Sequence, residues 1–497
     1  MAAFPADAVY LVVKASLWSA SKVYQSGSSK YLTPVPQESD EEIAQRLTLK
    51  KVTYRIVPFL MLCYFVAFVD RVNVGFAALQ MNRDLGLSAS AFGLGGGLFY
   101  ITYILLEVPS NIAMEKLGAR VWIARIMITW GLVSAGTAFI TGPRSFYASR
   151  LLLGAAEAGF FPGVILYLTY WFPARYRARI IAIFMVAIPV SSFIGSPISA
   201  ALLQTDGLYG LRGWQWLFLL EAVPAILLGV MTWFVLPDRP SEARWLTPAE
   251  RLQLSAVLER ERRTSNAVAS TKPPLRAILR NRYVLGLALA YAGASGASQC
   301  LSLWQPQIIK SFGLSNMQTG LLNALPFGVA SVAMVLWGMR SDRSGERIWH
   351  TVLPLSLLAV ALFAALASHS LPVTMLVLCV AVTSTYACKG PFWALSTEWL
   401  SAQMSAAGIA QINAIGLLGG FLGTYLLGVI RESGGSYPMG LQPLTVLSAL
   451  GCAALLILAR SMAVGGVHNW RESFDTPSTA RAQQMATARD AGGDAGE

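Results

Sequence analysis

The stretch that decides the fold is Cys63-Tyr-Phe-Val-Ala-Phe-Val-Asp-Arg-Val-Asn-Val-Gly-Phe-Ala-Ala78, which lies inside an apolar run from about Ile56 to Leu79. A run of that length can cross a lipid bilayer as a helix. It nevertheless contains Asp70, Arg71 and Asn73. A charge at the centre of a membrane helix costs roughly 2.5–3.5 kcal/mol, so such residues usually face a protein interior or a watery cavity. We therefore expect a helix that lines a polar cavity between other membrane helices.

The composition is that of a membrane protein. Of the 497 residues, 55% are hydrophobic and 13% are charged, and the mean hydropathy is +0.53. Soluble domains carry about 25% charged residues. Basic residues collect in cytoplasmic loops of membrane proteins, so the net charge of +12 indicates a lipid bilayer and not nucleic acid as the partner. The five cysteines and three histidines form no paired motif, and we expect no metal site, cofactor or enzyme activity.

The apolar runs are about as long as a bilayer-crossing helix, roughly 20 residues each. They lack the alternating polarity of barrel strands. The predicted fold class is therefore an all-α polytopic membrane protein with twelve transmembrane helices. The predicted spans are 56–79, 90–113, 121–141, 146–171, 179–203, 214–236, 283–309, 317–339, 350–368, 372–397, 407–430 and 441–463.

Lysine and arginine are concentrated in the loops on one side of the predicted membrane. The positive-inside rule places both termini in the cytoplasm, and we expect a multi-pass protein of the cell inner membrane. The long polar loop in the middle contains Thr247-Pro-Ala-Glu250, which predicts a capped helix. The residues up to about Leu32 have two equally good interpretations. They form a helix on the membrane surface, or they result from an upstream start codon that the cell does not use. The predicted segments are a tail at 1–54, a bundle at 55–236, a linker at 237–282, a bundle at 283–465 and a tail at 466–497.

A ten-residue motif recurs at the same place in each half. Asn111-Ile-Ala-Met-Glu-Lys-Leu-Gly-Ala-Arg120 and Gly338-Met-Arg-Ser-Asp-Arg-Ser-Gly-Glu-Arg347 both fit [G/N]-xxx-[D/E]-[R/K]-x-G-x-R. Repeats of this kind predict two six-helix bundles related by pseudo-two-fold symmetry. Charged residues at these helix ends can pair to close the cytoplasmic side, although basic residues belong there for topology alone. The gating candidates are Glu115, Lys116, Arg120, Asp342, Arg343 and Arg347.

The motif at 338–347 resembles the signature loop of the major facilitator superfamily, and the copy at 111–120 is degenerate because Asn111 replaces a glycine. Four further stretches are more specific: Phe68-Val-Asp-Arg-Val-Asn-Val-Gly-Phe-Ala77, Glu107-Val-Pro-Ser-Asn111, Arg150-Leu-Leu-Leu-Gly-Ala-Ala-Glu-Ala-Gly-Phe-Phe-Pro-Gly163 and Trp171-Phe-Pro. With them, the chain resembles the anion:cation symporter family over about residues 45–465, in particular its tartrate-type, sugar-acid and aromatic-acid permeases. The resemblance implies uptake of a small organic anion with protons by alternating access, and we expect a monomer.

Two carboxylates are candidates for proton coupling, Asp70 in the first span and Glu157 in the fourth. Burial favours the neutral form of a carboxylate, so such a group can take up and release a proton near neutral pH. The resemblance implies this role for both. The alternative is a structural ion pair. For Glu157 the partner would be Arg150, two helical turns earlier, or another cation. We interpret Arg150 as a structural or gating residue.

Arg71 is the candidate for binding an anion, because a guanidinium holds a carboxylate through two parallel hydrogen bonds. Asp70 and Arg71 point about 100° apart on a helix and do not simply neutralise each other. Asn73 shares a face with Asp70 and is a further candidate for substrate binding. Lys389 is either a second anion anchor, as a dicarboxylate would need, or a side chain that extends to the cytoplasmic surface.

Three more residues are candidates for substrate binding. The resemblance implies that Tyr103 and Asn413 face the substrate. Trp393 can stack on an aromatic or sugar face. Plain packing is the alternative for Tyr103 and for Trp393. At the level of function, the alternatives are a transporter for drug efflux or neutral sugars, a sensor that has lost transport, and a membrane enzyme.

Overall fold

The structure is a computed structural model that describes residues 40–269, 275–400 and 402–465. This part contains fifteen α-helices and no strand. The predicted tail 466–497, residues 1–39 of the predicted first tail and residues 270–274 of the predicted linker lie outside the described residues. The helices are α1 (Asp40–Asp84), α2 (Ala89–Leu117), α3 (Ala119–Thr137), α4 (Pro143–Glu157), α5 (Phe160–Thr169), α6 (Ala174–Leu202), α7 (Gly213–Val235), α8 (Pro248–Ala269), α9 (Leu275–Leu279), α10 (Arg282–Lys310), α11 (Asn316–Ser344), α12 (Ile348–Ala364), α13 (Leu371–Trp399), α14 (Ala402–Glu432) and α15 (Tyr437–Gly465).

The membrane helices follow the predicted spans. Eleven segments of the described chain are long and apolar enough to cross a membrane, and α4 and α5 together form one of them. The third predicted span is α3, whose apolar character is lowered by Arg120 and Arg125 and which packs along α7. Helix α1 begins at Asp40, inside the segment predicted as a tail. The predicted fold class is confirmed, with α1–α7 and α10–α15 as the two bundles.

The repeated motif ends a membrane helix in each half. Gly118 follows α2 with φ 90° and Gly345 follows α11 with φ 67°. Glycine adopts a positive φ without the steric cost that a Cβ atom brings. The same two helices also begin alike, because Ser88 and Ser315 each accept a hydrogen bond from a backbone N–H of the first turn. The motif is therefore a matched structural element of the two bundles.

The described parts of the two bundles meet mainly along three helix pairs: α1 with α10, α2 with α14, and α6 with α11. Exchanging the halves turns the pair α2–α14 into the pair α6–α11, as a pseudo-two-fold axis requires. We call the end of the bundles that carries Lys116, Arg120, Arg343 and Arg347 the basic end, and the other end the opposite end.

The bundles are in close contact at the opposite end. A methyl group added at Gly93 would collide with the backbone of α14, and one added at Gly428 with the backbone of α2. Such glycines let helices approach closely in a membrane. Glu432 Oε2 accepts hydrogen bonds from Ser88 Oγ and from the backbone N–H of Ser90, both at 2.9 Å. The halves are therefore closed against each other here.

The linker between the bundles packs against the first one. The predicted capping box is present, since Thr247 and Glu250 exchange hydrogen bonds at the start of α8. The hydrogen bond from the Thr247 backbone N–H, with Lys51 close by, holds the pKa of Glu250 below its usual range. Lys51 Nζ lies 3.0 Å from that carboxylate. Glu261 accepts the backbone N–H of Ala174 at the start of α6, so the linker is tied to helices of the first bundle.

Candidate functional site

A small cavity lies between the bundles, where helices α1, α2 and α4 of the first half face α10 of the second. Its volume is about 20 Å³, which is enough for one water molecule. A carboxylate substrate would need the halves to separate further. The cavity is lined by Phe68, Arg71, Val72, Gly96, Phe99, Tyr100, Arg150, Gln299, Ser302 and Leu303.

Arg71 is held by an internal carboxylate. Its Nε and Nη2 atoms lie 2.7 and 2.5 Å from Glu157 Oε1. The guanidinium carbon also lies 4.9 Å from the ring centre of Phe68, 5.5 Å from that of Phe99 and 5.4 Å from that of Tyr103. Aromatic faces attract a cation when it is desolvated. The group best suited to bind an anion is thus already occupied by a carboxylate of the chain itself.

The position of Glu157 depends on a break in the fourth span. Helix α4 ends at Glu157 and α5 begins at Phe160. Pro162 cannot donate a hydrogen bond to the carbonyl four residues earlier, and Gly159 takes a left-handed conformation with φ 85°. A Cβ atom there would collide with Ser110 of α2. The break places the Glu157 carboxylate at a helix end, where it reaches Arg71 of α1.

Asp70 faces away from the cavity, into the first bundle. Its Oδ2 accepts a hydrogen bond from Trp130 Nε1 at 2.6 Å. Its Oδ1 accepts hydrogen bonds from Ser134 Oγ at 2.5 Å and from Asn73 Nδ2 at 2.8 Å. In the described part of the chain, no cation lies within ion-pair distance of this carboxylate. Asn73 therefore contacts Asp70 and is not among the residues that line the cavity.

Arg150 is a cavity residue that sequence reasoning did not assign to the site. Its side chain is buried, and its guanidinium carbon lies 5.2 Å from the ring centre of Phe99. None of the described carboxylates forms an ion pair with it, and its Nε atom has no hydrogen-bond partner there. Glu157 pairs with Arg71 instead of with Arg150. A buried guanidinium, that of Arg150, and a partly buried one, that of Arg71, thus border one small cavity.

Lys389 of α13 lies in the second half, with 9% of its surface exposed. Its Nζ is 3.4 Å from Ser298 Oγ of α10 and 4.2 Å from the ring centre of Tyr386. It therefore points across to α10 instead of extending to the membrane surface. Trp393, one turn further on, packs against Tyr291, with ring centres 4.9 Å apart.

Asn413 connects the two bundles. Its Nδ2 lies 3.2 Å from Oε1 and 3.4 Å from Oε2 of Glu107, a residue of α2. An amide that donates to an internal carboxylate can also donate to a substrate oxygen in its place. Asn413 and Arg71 are thus both occupied by carboxylates of the first half.

The gating candidates pair within their own halves. Arg120 Nε lies 3.8 Å from Asp238, which also accepts the Arg120 backbone N–H. Arg347 lies 2.6 Å from Asp342 and 3.6 Å from Glu398. Each of these pairs lies within one half or between a half and the linker. Among residues 40–269, 275–400 and 402–465, Glu115, Lys116 and Arg343 are in no ion pair.

Three further cavity residues escaped the sequence analysis: Tyr100, Gln299 and Ser302. Tyr100 lies three residues before Tyr103 and one turn after Gly96, so helical spacing along α2 would have found it. Gln299 and Ser302 are polar residues within an apolar span, which is the same signal that identified Asp70. The described part contains no cluster of three His, Cys, Asp or Glu side chains that could hold a metal ion.

Known proteins resemble this chain over most of its length. The family model described as Major Facilitator Superfamily matches residues 60–424. A protein of Agrobacterium vitis named "Putative tartrate transporter" is 50% identical over 413 residues, which cover 83% of this chain and 91% of that protein. The quinolone resistance transporter of Acinetobacter baumannii is 38% identical, over 81% of this chain and 93% of its own length. The crystal structure of a bacterial homolog of the human lysosomal transporter Spinster, in an inward-facing and occupied conformation, matches with a TM-score of 0.66 and 17% identity, over 82% of this chain and 96% of that one. That last likeness concerns the fold alone.

Proposed function

Because the chain belongs to the major facilitator superfamily, we propose that it is a secondary transporter that imports a small organic anion in symport with protons by alternating access. The observation that carries this proposal is the pair formed by Arg71 and Glu157, at 2.5 and 2.7 Å beside the cavity between the bundles. A guanidinium in a water-poor site binds a carboxylate strongly. The relatives named for tartrate transport support a carboxylate as the substrate.

Protons enter this mechanism through Glu157. While Glu157 is ionised it competes with the substrate for Arg71. Protonation neutralises Glu157 and releases the guanidinium, which then binds the carboxylate of the substrate. Asp70 is the second proton site, because its carboxylate is buried behind Arg71 among neutral donors. Binding of substrate and protons together lowers the free energy needed to move the bundles from the outward-facing to the inward-facing arrangement. Alternating access requires only such a shift between two states.

The remaining candidates complete the site. Tyr103 lies beside Arg71, and Asn413 reaches the interface from the second half once a substrate oxygen replaces Glu107. Trp393 provides an aromatic face near Tyr291, and Lys389 supplies a further positive charge. Asn73 acts on the substrate only indirectly, by holding Asp70.

The orientation of the protein in the membrane follows from the position of the basic end. We place this end in the cytoplasm of a cell inner membrane, with both termini on that side. The bundles are closed at the opposite end. The described arrangement therefore corresponds to a step just before or just after the substrate is released to the cytoplasm. Pairs such as Arg347 with Asp342 then hold each half together while the basic end is open. We expect a monomer, divided into the two bundles, the linker and the tails given by the sequence.

The experiment is uptake by purified full-length protein in liposomes. Radiolabelled tartrate is presented outside with an inward proton gradient, and empty liposomes are the blank. We expect accumulation that collapses when a protonophore removes the gradient and that other carboxylates inhibit. Accumulation that is indifferent to the gradient would contradict proton symport, and lack of any inhibition by carboxylates would contradict anion transport.

A second candidate is export of carboxylate drugs, favoured by the likeness to the quinolone resistance transporter. Quinolones themselves carry a carboxylate, so Arg71 can hold them in the same way. The direction of transport separates the two functions. Liposomes are loaded with a fluorescent quinolone and an inward proton gradient is applied. Only an exporter would then release the quinolone from the liposomes.

A further inference from the structure

Lys389 is a buried cation that the described residues leave without a counter-ion. Its surface is 9% exposed, and its closest partners are a hydroxyl group, Ser298, and the face of the Tyr386 ring. Neither of them is negatively charged. An ammonium group has three N–H donors, and the hydrogen bond from Lys389 to Ser298, at 3.4 Å, is long for such a group. Lys389 thus has no acidic partner among the described residues.

Lys389 contacts the helix of the second half that borders the cavity. Ser298 lies on α10, immediately before Gln299, which lines the cavity next to Arg71 and Arg150. Lys389 comes from α13 of the second bundle, whereas both arginines come from the first. A ligand held by Lys389 and Arg71 together therefore connects the two halves.

The charges around the cavity point to the charge of that ligand. The described cations there are Arg71, Arg150 and Lys389. Glu157 pairs with Arg71, Glu107 accepts hydrogen bonds from Asn413, and Asp70 points away from the cavity into the first bundle. Tyrosine and cysteine side chains nearby are neutral near pH 7, and Glu221 is bonded to Ser199 inside the first bundle and does not line the cavity. When Asp70 and Glu157 take up protons, only Glu107 opposes the three cations. Two positive charges remain, and buried charges need partners.

We propose that the site is specific for a dianion with two carboxylates, one held by Arg71 and the other by Lys389. This inference rests on the proposed function and deepens it. A monocarboxylate would leave the Lys389 ammonium without a partner, which a buried site penalises. Lys389 is therefore the residue that distinguishes dicarboxylates from monocarboxylates of the same shape.

The test uses two ligands that differ in one carboxylate. Tartrate and threonate have the same four-carbon hydroxylated skeleton, but threonate carries a CH₂OH group in place of the second carboxylate. Dissociation constants are measured by calorimetry at pH 6 on purified full-length wild type, Lys389→Met, Lys389→Gln and Lys389→Arg. Lys310→Met, which removes a lysine at the far end of α10, is the matched control.

We expect wild type to prefer tartrate over threonate by about 10-fold or more, the range of a hydrogen bond to a charged group. Lys389→Met and Lys389→Gln should weaken tartrate binding by about the same factor and leave threonate within about threefold. Lys389→Arg should keep the preference, and Lys310→Met should match wild type. Two neutral variants are used so that one of them decides if the other does not fold.

Three results would overturn the proposal: equal binding of the two ligands by wild type, unchanged tartrate binding in the neutral variants, or equal weakening of both ligands, which a merely structural lysine would give. If wild type binds threonate without a preference, only the dianion inference fails. If it binds neither these nor any other carboxylate, the proposed function fails with it.

Discussion

Asp70 and Arg71 are consecutive in the chain, yet their charged groups lie in separate environments. Asp70 points into the first bundle, where Trp130 of α3 donates to it at 2.6 Å. Arg71 points to the cavity between the bundles, where Glu157 holds it at 2.5 Å. The rotation of about 100° per residue along a helix separates them. One helical turn thus presents a carboxylate to the first bundle and a guanidinium to the interface.

Glu157→Gln should make carboxylate binding independent of pH. Glutamine carries no charge, so it cannot hold Arg71 as an ionised Glu157 does. We expect the variant at pH 8 to bind the substrate roughly 10-fold more tightly than wild type does at pH 8, and about as tightly as wild type at pH 6. Calorimetry at the two pH values measures this. Glu259→Gln, in the exposed linker helix, is the control, and a variant that keeps the pH dependence of wild type would refute the competition between Glu157 and substrate.

Asp70→Asn should damage both stability and coupling. The Asp70 oxygens accept three donors, from Trp130, Ser134 and Asn73. An asparagine would place an NH₂ group against one of them, and an unmatched buried donor costs about 1–3 kcal/mol. We expect a lower melting temperature and loss of uptake driven by the proton gradient, while exchange of substrate across the liposome membrane persists.

The control for this variant is Asp206→Asn at the opposite end. Asp206 lies close to Arg212 at the protein surface, so its loss should leave coupling intact. Full proton-driven uptake in both Asp70→Asn and Glu157→Gln would show that neither carboxylate carries the coupled proton.

The order of the spans could be predicted because it depends on local properties. A run of about 20 apolar residues identifies a membrane helix by itself, and the motif that ends α2 and α11 recurs in the sequence. Helix α3 shows how weak this signal can become. Arg120 and Arg125 lower its hydropathy, yet it packs beside α7 as the other membrane helices pack in the bundle. The helix break after Glu157 could also be predicted from the sequence, because Gly159 and Pro162 are both unfavourable inside a helix.

The contacts of the site could not be predicted in the same way. Spacing along one helix places Arg150 and Glu157 near one face. It does not reveal that Glu157 forms its ion pair with Arg71 of α1 and not with Arg150. The direction of Asp70 likewise depends on Trp130 and Ser134, which lie in a different helix. These facts belong to the packing of helices, and no pattern within a single span contains them.

Asn413→Ala should weaken substrate binding and loosen the contact between the halves. The substitution removes the only donor that the structure describes for the Glu107 carboxylate, at 3.2 and 3.4 Å. We expect the Michaelis constant for uptake to rise about 10-fold, as for loss of a hydrogen bond to a charged group. Gln411→Ala is the matched control, because Gln411 lies on the same helix and donates to the backbone carbonyl of Leu279. Equal effects of the two variants would assign Asn413 a general packing role.

Glu432→Ala should open the opposite end of the bundles. The Glu432 carboxylate belongs to the second half and accepts bonds from Ser88 and from the backbone N–H of Ser90, at the start of α2 in the first half. A negative charge at a helix N-terminus is stabilised by the helix dipole, so its removal weakens the closed contact on that side. A cysteine introduced at Gln299, in the cavity, reports the change through its labelling rate with a membrane-impermeant reagent added from the opposite side.

We expect that rate to rise several-fold in Glu432→Ala, because a lost charge-assisted bond shifts the balance of two states by about a factor of 10. Glu432→Gln keeps an acceptor without the charge, and its rate should lie between those of wild type and Glu432→Ala. Arg431→Ala is the neighbouring control, since Arg431 contacts Gly435 and Tyr437 within its own half. The parent chain without the cysteine at position 299 gives the background from the native cysteines. A labelling rate that is the same in Glu432→Ala and in Arg431→Ala would mean that the close helix contacts at Gly93 and Gly428, and not Glu432, keep this end shut.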